Sequence, residues 1–155
     1  IPSDTPYSLQ ISRTELANSL KRISIFANKT TYQVIFNISS NELQLTAQDM
    51  DFSNEAYERL SCEFDGGNMQ IGFNARFLID MLNILHAEEV TISLSEHNRP
   101  GILKPSEMEN GEDILMLLMP IVINYEDEEE EAEETSEDQA NETESGATQA
   151  EEETE

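Results

Sequence analysis

The side chains of this 155-residue chain that could do covalent or metal chemistry are few and scattered. His86 and His97 lie eleven apart, with no helix or strand spacing that would converge them, and Cys62 is near neither of them in sequence. Nothing in that set resembles a metal site or a nucleophile with its base. Asp49, Asp51, Ser53 and Glu55 alternate as calcium-loop ligands do, but the sixth position is Asn54 rather than Gly and the twelfth is Leu60 rather than Glu. Cys62 on an alternating stretch reads as a small buried hydrophobe, and no phosphate-binding glycine loop is present. The expectation is a protein with no catalytic residues, no metal and no cofactor, whose chemistry is that of binding. Two stretches are candidates for it: MQIGFNARFLIDMLNIL over residues 69–85, and LLMP over residues 117–120.

The elements that must carry those stretches lie in the first four-fifths of the chain. Residues 126–155 hold 16 acidic side chains and no basic, aromatic or large aliphatic one. Such a segment cannot bury enough apolar surface to offset chain entropy and reads as a disordered, self-repelling tail. Residues 1–125 hold the other 17 acids, all 8 basic residues and every Leu, Ile, Val, Phe, Tyr and Met, enough for one compact domain. The net charge of −25 is therefore −16 from the tail and −9 from the body. The chain opens with Ile1 in a proline-containing IPSDTP stretch, which reads as a linker and the sequence as a fragment. No window approaches a membrane span, and a single cysteine fits a reducing cytoplasm. The sequons at Asn28, Asn37 and Asn141 are read as chance matches.

Periodicity orders the body. Residues 7–11 alternate as a strand, and Ser12 with Glu15 forms a capping box that opens a helix with Leu16, Leu20, Ile23 and Ala27 as its buried stripe. Residues 32–39 and 42–48 read as a hairpin, residues 55–64 as a third strand, and Gly66-Gly67 as the turn into a fourth at 69–73. Asn74 caps a second helix with Leu78, Met81, Leu82 and Leu85 as its stripe. Residues 89–94, 101–104 and 114–118 complete the strands. The fold class is α+β: two β-α-β-β-β units, with two helices packed on one face of antiparallel strands.

IGFN at residues 71–74, followed by Phe77, Leu78 and Asp80, together with LMP at 118–120, resembles the last domain of the bacterial sliding clamp, the beta subunit of the replicative DNA polymerase. The resemblance covers nearly all of residues 1–125. It implies a ring that encircles double-stranded DNA without sequence specificity, closed as a homodimer in the full-length form and opened by an ATP-driven clamp loader. It also implies tethering of the polymerase catalytic subunit and other proteins that carry clamp-binding peptides. By position, the peptide groove would comprise Asn74, Phe77, Asn98, Pro100, Leu117, Leu118, Met119 and Pro120, its other wall belonging to the preceding domain. Leu and Met suit an adaptable apolar pocket and Asn74 can hydrogen-bond a peptide backbone. Strand alternation points at least one of Leu117 and Leu118 into the core.

In the resembled family the helices line the ring. Residues 12–28 and 74–87 carry Arg13, Lys21, Arg22 and Arg76 against Glu15 and Asp80, a net of +2, while the rest of the body has a net of −11. Positive helices on a negative protein suit non-specific phosphate attraction. The resemblance places a subunit junction at Ile25 and Phe26, with Glu55 and Glu58. The chain departs from many clamps after Met119-Pro120, continuing as Ile121-Val122-Ile123-Asn124-Tyr125 before the tail. A rival reading takes the tail as the working part of an acidic nucleic-acid mimic or a chaperone-like binder of basic proteins.

Overall fold

The computed structural model describes residues 1–108 and 113–123. Nine strands and two helices are formed among them: β1 (Tyr7–Ser12), α1 (Arg13–Ile23), β2 (Gln33–Ile38), β3 (Glu42–Asp49), β4 (Asn54–Ser61), β5 (Glu63–Phe64), β6 (Met69–Asn74), α2 (Ala75–Ile84), β7 (Glu89–Leu94), β8 (Gly101–Pro105) and β9 (Met116–Leu118). The expected tail over 126–155, and the domain limit at 125, lie outside the described residues.

The helices start where the sequence places them. The Ser12 hydroxyl accepts from the Glu15 amide, and the Asn74 side chain accepts from the Phe77 amide. Each bond satisfies one of the free donors of a first helical turn. Leu16, Leu20, Ile23 and Ala27 are buried on one side, as are Leu78, Leu82 and Leu85 on the other. The first helix is shorter than its stripe, because α1 ends at Ile23 and Ser24–Phe26 continue as a 3₁₀ turn. There the Ser24 hydroxyl takes the Lys21 carbonyl and the Lys29 ammonium takes the Ile25 carbonyl, so side chains satisfy the helix's last acceptors.

The strands form two antiparallel sheets, ordered β5-β1-β7-β8-β9 and β4-β3-β2-β6. The first strand of each repeat lies in the other repeat's sheet. β1 pairs with β7, Leu9 opposite Ile92, and β6 pairs with β2, Ile71 opposite Phe36. Between the sheets and the two helices runs one apolar core, in which Phe36 and Phe73 meet edge to face at 5.2 Å.

Three expectations need correction. The stretch read as one strand over 55–64 is two strands in different sheets. Cys62 and Phe64 leave the β3 ladder to bond the Asn41 and Ser40 carbonyls, and Phe64 then pairs with Leu9. Gly66-Gly67 accordingly joins the two sheets and does not close a hairpin. Gly66 lets the chain pass close there, since a Cβ would lie 2.5 Å from the Phe64 ring, which packs edge to face on Tyr7, and would force that ring to move. The last strand begins at Met116, not at 114.

Candidate peptide groove, inner face and junction

The IGFN and LMP stretches come together through a contact that neither stretch shows alone. β8 and β9 align Gly101 with Leu118 and Ile102 with Leu117. This register puts Pro100, at the end of the β7–β8 loop that also carries Asn98, beside Met119. Beyond Pro120 the chain crosses to the other sheet, where the Ile121 amide donates to the Gly72 carbonyl at 2.8 Å. That bond holds Met119 and Pro120 next to the end of β6, two residues before Asn74. A glycine inside a strand, here Gly72, is a signal of such a close backbone approach that the sequence analysis did not use. The aliphatic continuation after Met-Pro supplies its partner.

Side-chain directions divide the proposed groove residues. Phe77 and Met119 are 64% and 62% exposed, Leu117 and Asn98 are exposed, and Pro100, Pro120 and Asn74 are half-buried. Leu118 is 3% exposed and its side chain belongs to the core. Alternation along β9 forces this split, since Leu117 and Met119 share the face opposite to Leu118. Asn74 spends its side-chain oxygen on the helix cap at 3.1 Å, leaving its amide nitrogen as the donor for a ligand. The clefts elsewhere, of about 580 Å³ beside His86 and Pro105 and about 420 Å³ over Asn37 and Gln44, contain none of these residues.

The four helix cations are not equivalent. Arg13 donates to the Ala87 and Leu82 carbonyls at 2.7 and 3.3 Å, closing the C-terminal end of α2. Arg22 pairs with Glu58 through two bonds of 2.8 and 2.9 Å. Lys21 is exposed, and Arg76 is exposed with its guanidinium 5.4 Å from the centre of the Tyr32 ring. Lys21 and Arg76 are therefore the cations with charge to spare for an external anion.

At the junction suggested by position, Ile25 is 67% exposed and Phe26 is also exposed, with no place in the core. β4 is an end strand of its sheet. Glu58 faces α1, where the buried Ser19 hydroxyl also donates to it. The Arg22 hydrogen bonds, helped by Ser19, hold the Glu58 carboxyl below its ordinary range against the opposing effect of burial, and Glu58 raises Arg22 in turn. Glu55, three residues earlier, projects from the opposite face of the strand by alternation.

The Asp49 carboxylate is buried and accepts from the Asp51 amide, a turn bond. Burial, with the nearby Glu42 charge, pushes the Cys62 thiol up and so keeps it protonated. Among the described residues no three His, Cys, Asp or Glu side chains converge on a metal position, and no helix is long and apolar enough to cross a membrane.

Residues 1–122 match the family described as DNA polymerase III beta subunit, C-terminal domain. The beta sliding clamp of Vibrio cholerae is 30% identical over 121 residues, covering 78% of this chain and 32% of its own length. That of Synechocystis is 31% identical over 123 residues, covering 78% and 30%. The crystal structure of the DNA polymerase III subunit beta from Pseudomonas aeruginosa aligns with a TM-score of 0.74 at 25% identity, over 79% of this chain and 32% of that one. The chain thus spans about a third of the length of the curated relatives it matches. With the family model matched over residues 1–122 and the fold shared with a solved beta subunit, this chain belongs to the DNA polymerase III beta subunit family through that family's C-terminal domain.

Proposed function

We propose that this domain is one segment of a sliding clamp: a non-enzymatic ring, formed by two copies of the native polypeptide in the cytoplasm, that encircles duplex DNA and tethers the replicative polymerase to it. The observation that carries this reading is the family match over residues 1–122. The charge layout supports it. Lys21 and Arg76 attract phosphates without reading bases, and screening over about 8 Å at physiological salt keeps the acidic outer surface from opposing them. Few such contacts leave a ring free to move along the duplex.

The groove residues supply the tether. Phe77 and Met119 present an apolar surface to aliphatic or aromatic peptide anchors, Pro100 and Leu117 extend it, and the Asn74 amide can donate to peptide backbone. Clamp-loader and polymerase peptides, and those of other clamp-binding proteins, would share this half-site, the preceding domain completing it. The acidic segment over 126–155 then serves to keep the ring soluble and to repel stray DNA.

Topology provides the test. The native polypeptide, placed by its loader on a nicked circular duplex, should stay on the circle at a salt concentration that abolishes simple phosphate binding, and should leave when the circle is cut. Retention that is indifferent to cutting, or capture of basic proteins that fades as salt rises, would favour the acidic-binder reading instead.

A further inference from the structure

Six methionines and one cysteine supply the sulfur of this chain, and the sulfur-bearing side chain most open to solvent stands in the proposed groove. Met69, Met81 and Met116 are half-buried, and Met108 and Met50, both outside the groove, are 46% and 57% exposed. Met119 is 62% exposed. Cys62 does not compete with it for an oxidant. Its sulfur is half-buried and lies 4.0 Å from the Ser39 carbonyl, and burial with the Glu42 charge keeps it protonated, whereas oxidants attack the thiolate.

Two backbone registers fix what surrounds Met119. In the β8–β9 ladder Gly101 faces Leu118, so residue 119 follows at the level of Pro100. The Ile121–Gly72 bridge is also antiparallel, and carried back two residues it sets 119 opposite Asn74, whose side chain caps the turn that bears Phe77. Phe77 and Leu117 expose apolar surface on the same side of the chain. Among such neighbours a thioether is an adaptable apolar contact for a peptide anchor. Its sulfoxide is instead a polar group with a strong acceptor oxygen. A docking peptide would either bury that oxygen unpaired or leave it the Asn74 amide donor, and loses a contact in both cases.

We propose that Met119 is a reversible oxidation site, whose sulfoxide releases peptide-bearing clients from the ring while the ring stays on its duplex. This rests on the groove reading above and adds a regulation to it. Hydrogen peroxide transfers one oxygen atom to the Met119 sulfur: its O–O bond breaks, a sulfur–oxygen bond forms, and water leaves. A dithiol reductase returns the thioether, the oxygen leaving as water and the dithiol closing to a disulfide. Lys21 and Arg76, which attract phosphate, are untouched by this chemistry.

The test is peroxide treatment of the full native polypeptide, as wild type, M119L and M50L/M108L. Peptide mapping by mass locates added oxygen, and fluorescence anisotropy measures the clamp-motif peptide. The expected result is one oxygen on Met119 and a peptide dissociation constant raised about tenfold in wild type and in M50L/M108L. It should recover after methionine sulfoxide reductase, with retention on nicked circular duplex unchanged throughout. M119L, whatever its starting constant, should not respond to peroxide. Oxygen on Met119 with an unchanged constant overturns the proposal and leaves the groove intact, as does a response that M119L shares or that M50L/M108L lacks. Met119 left unoxidised at a dose that oxidises Met50 and Met108 also overturns it. Loss of duplex retention along with the peptide overturns it in favour of general damage. A wild type that never binds the peptide overturns the groove reading, and this proposal with it. Should M119L bind no peptide at all, reversal by the reductase in M50L/M108L, where Met119 is the one well-exposed methionine left among the described residues, decides between the same outcomes.

Discussion

Leu118 and Met119 are adjacent and do opposite work. Leu118 is sealed in the core while Met119 stands in solvent beside the Ile121–Gly72 bond. L118A should therefore lower unfolding free energy by about 2–5 kcal/mol, measured by denaturant titration. M119A should leave that quantity nearly unchanged and weaken binding of a clamp-motif peptide to the native polypeptide, measured by fluorescence anisotropy. Alternation made it legible that one of Leu117 and Leu118 turns inward, but not which, because the register of β9 is set by Gly101 across the sheet. Arg13 was legible as a helix cation and not as the closure of α2, whose carbonyls lie about seventy residues along the chain. Glu58 was legible as a carboxylate on an end strand, not as the partner of Arg22. Its folded-state carboxyl titrates below the unfolded value, so the stability it contributes is present above the ordinary carboxylate range and is lost as pH falls through that range toward the lowered value. E58Q should be less stable than wild type at neutral pH, and the gap should close on acidification below about pH 4. A gap independent of pH in thermal melts would argue against the ion pair as its source.

Among the elements, the helices were the most legible, since their starts depend on local bonds and their stripes on a period of 3.6 residues. Asn74 caps α2, and that cap can be separated from the peptide contact proposed for its amide. N74A removes the cap and should cost about 1 kcal/mol of stability. N74D keeps a capping oxygen and removes the amide donor, so it should hold stability while weakening the clamp-motif peptide. If both variants bind the peptide as wild type does, Asn74 is a cap alone. The strands were legible as strands but not as sheets. Nothing local in residues 55–64 announces that the chain changes sheet at Cys62, because the change is decided by the Ser40 and Asn41 carbonyls and by Leu9. The shortened α1 has a local origin instead, with Ser24 and Lys29 taking up carbonyls three and four residues back that a longer helix would have used.

For the whole molecule, the segregation of positive helices from a negative body was legible by counting, and the structure narrows its content. Two of the four cations are tied to carbonyl or carboxylate oxygens within the fold, so K21E/R76E removes the two that are not. In the native polypeptide it should shorten residence on circular duplex at low salt, with the deficit fading as salt rises. A deficit that ignores salt would point to altered ring closure in place of weakened phosphate attraction. The exchange of first strands between the two repeats has a different consequence, for how the domain can be divided. A Cβ at Gly67 would meet nothing within 4 Å, and the chain there passes from one repeat to the next, yet a break at that point would not free two half-domains. Each half would keep the other's first strand in its own sheet, β1 against β7 and β6 against β2. The halves are therefore complementary pieces of one object, each an incomplete template until the other arrives, and a split pair made at this glycine would assemble into a domain only by mutual insertion.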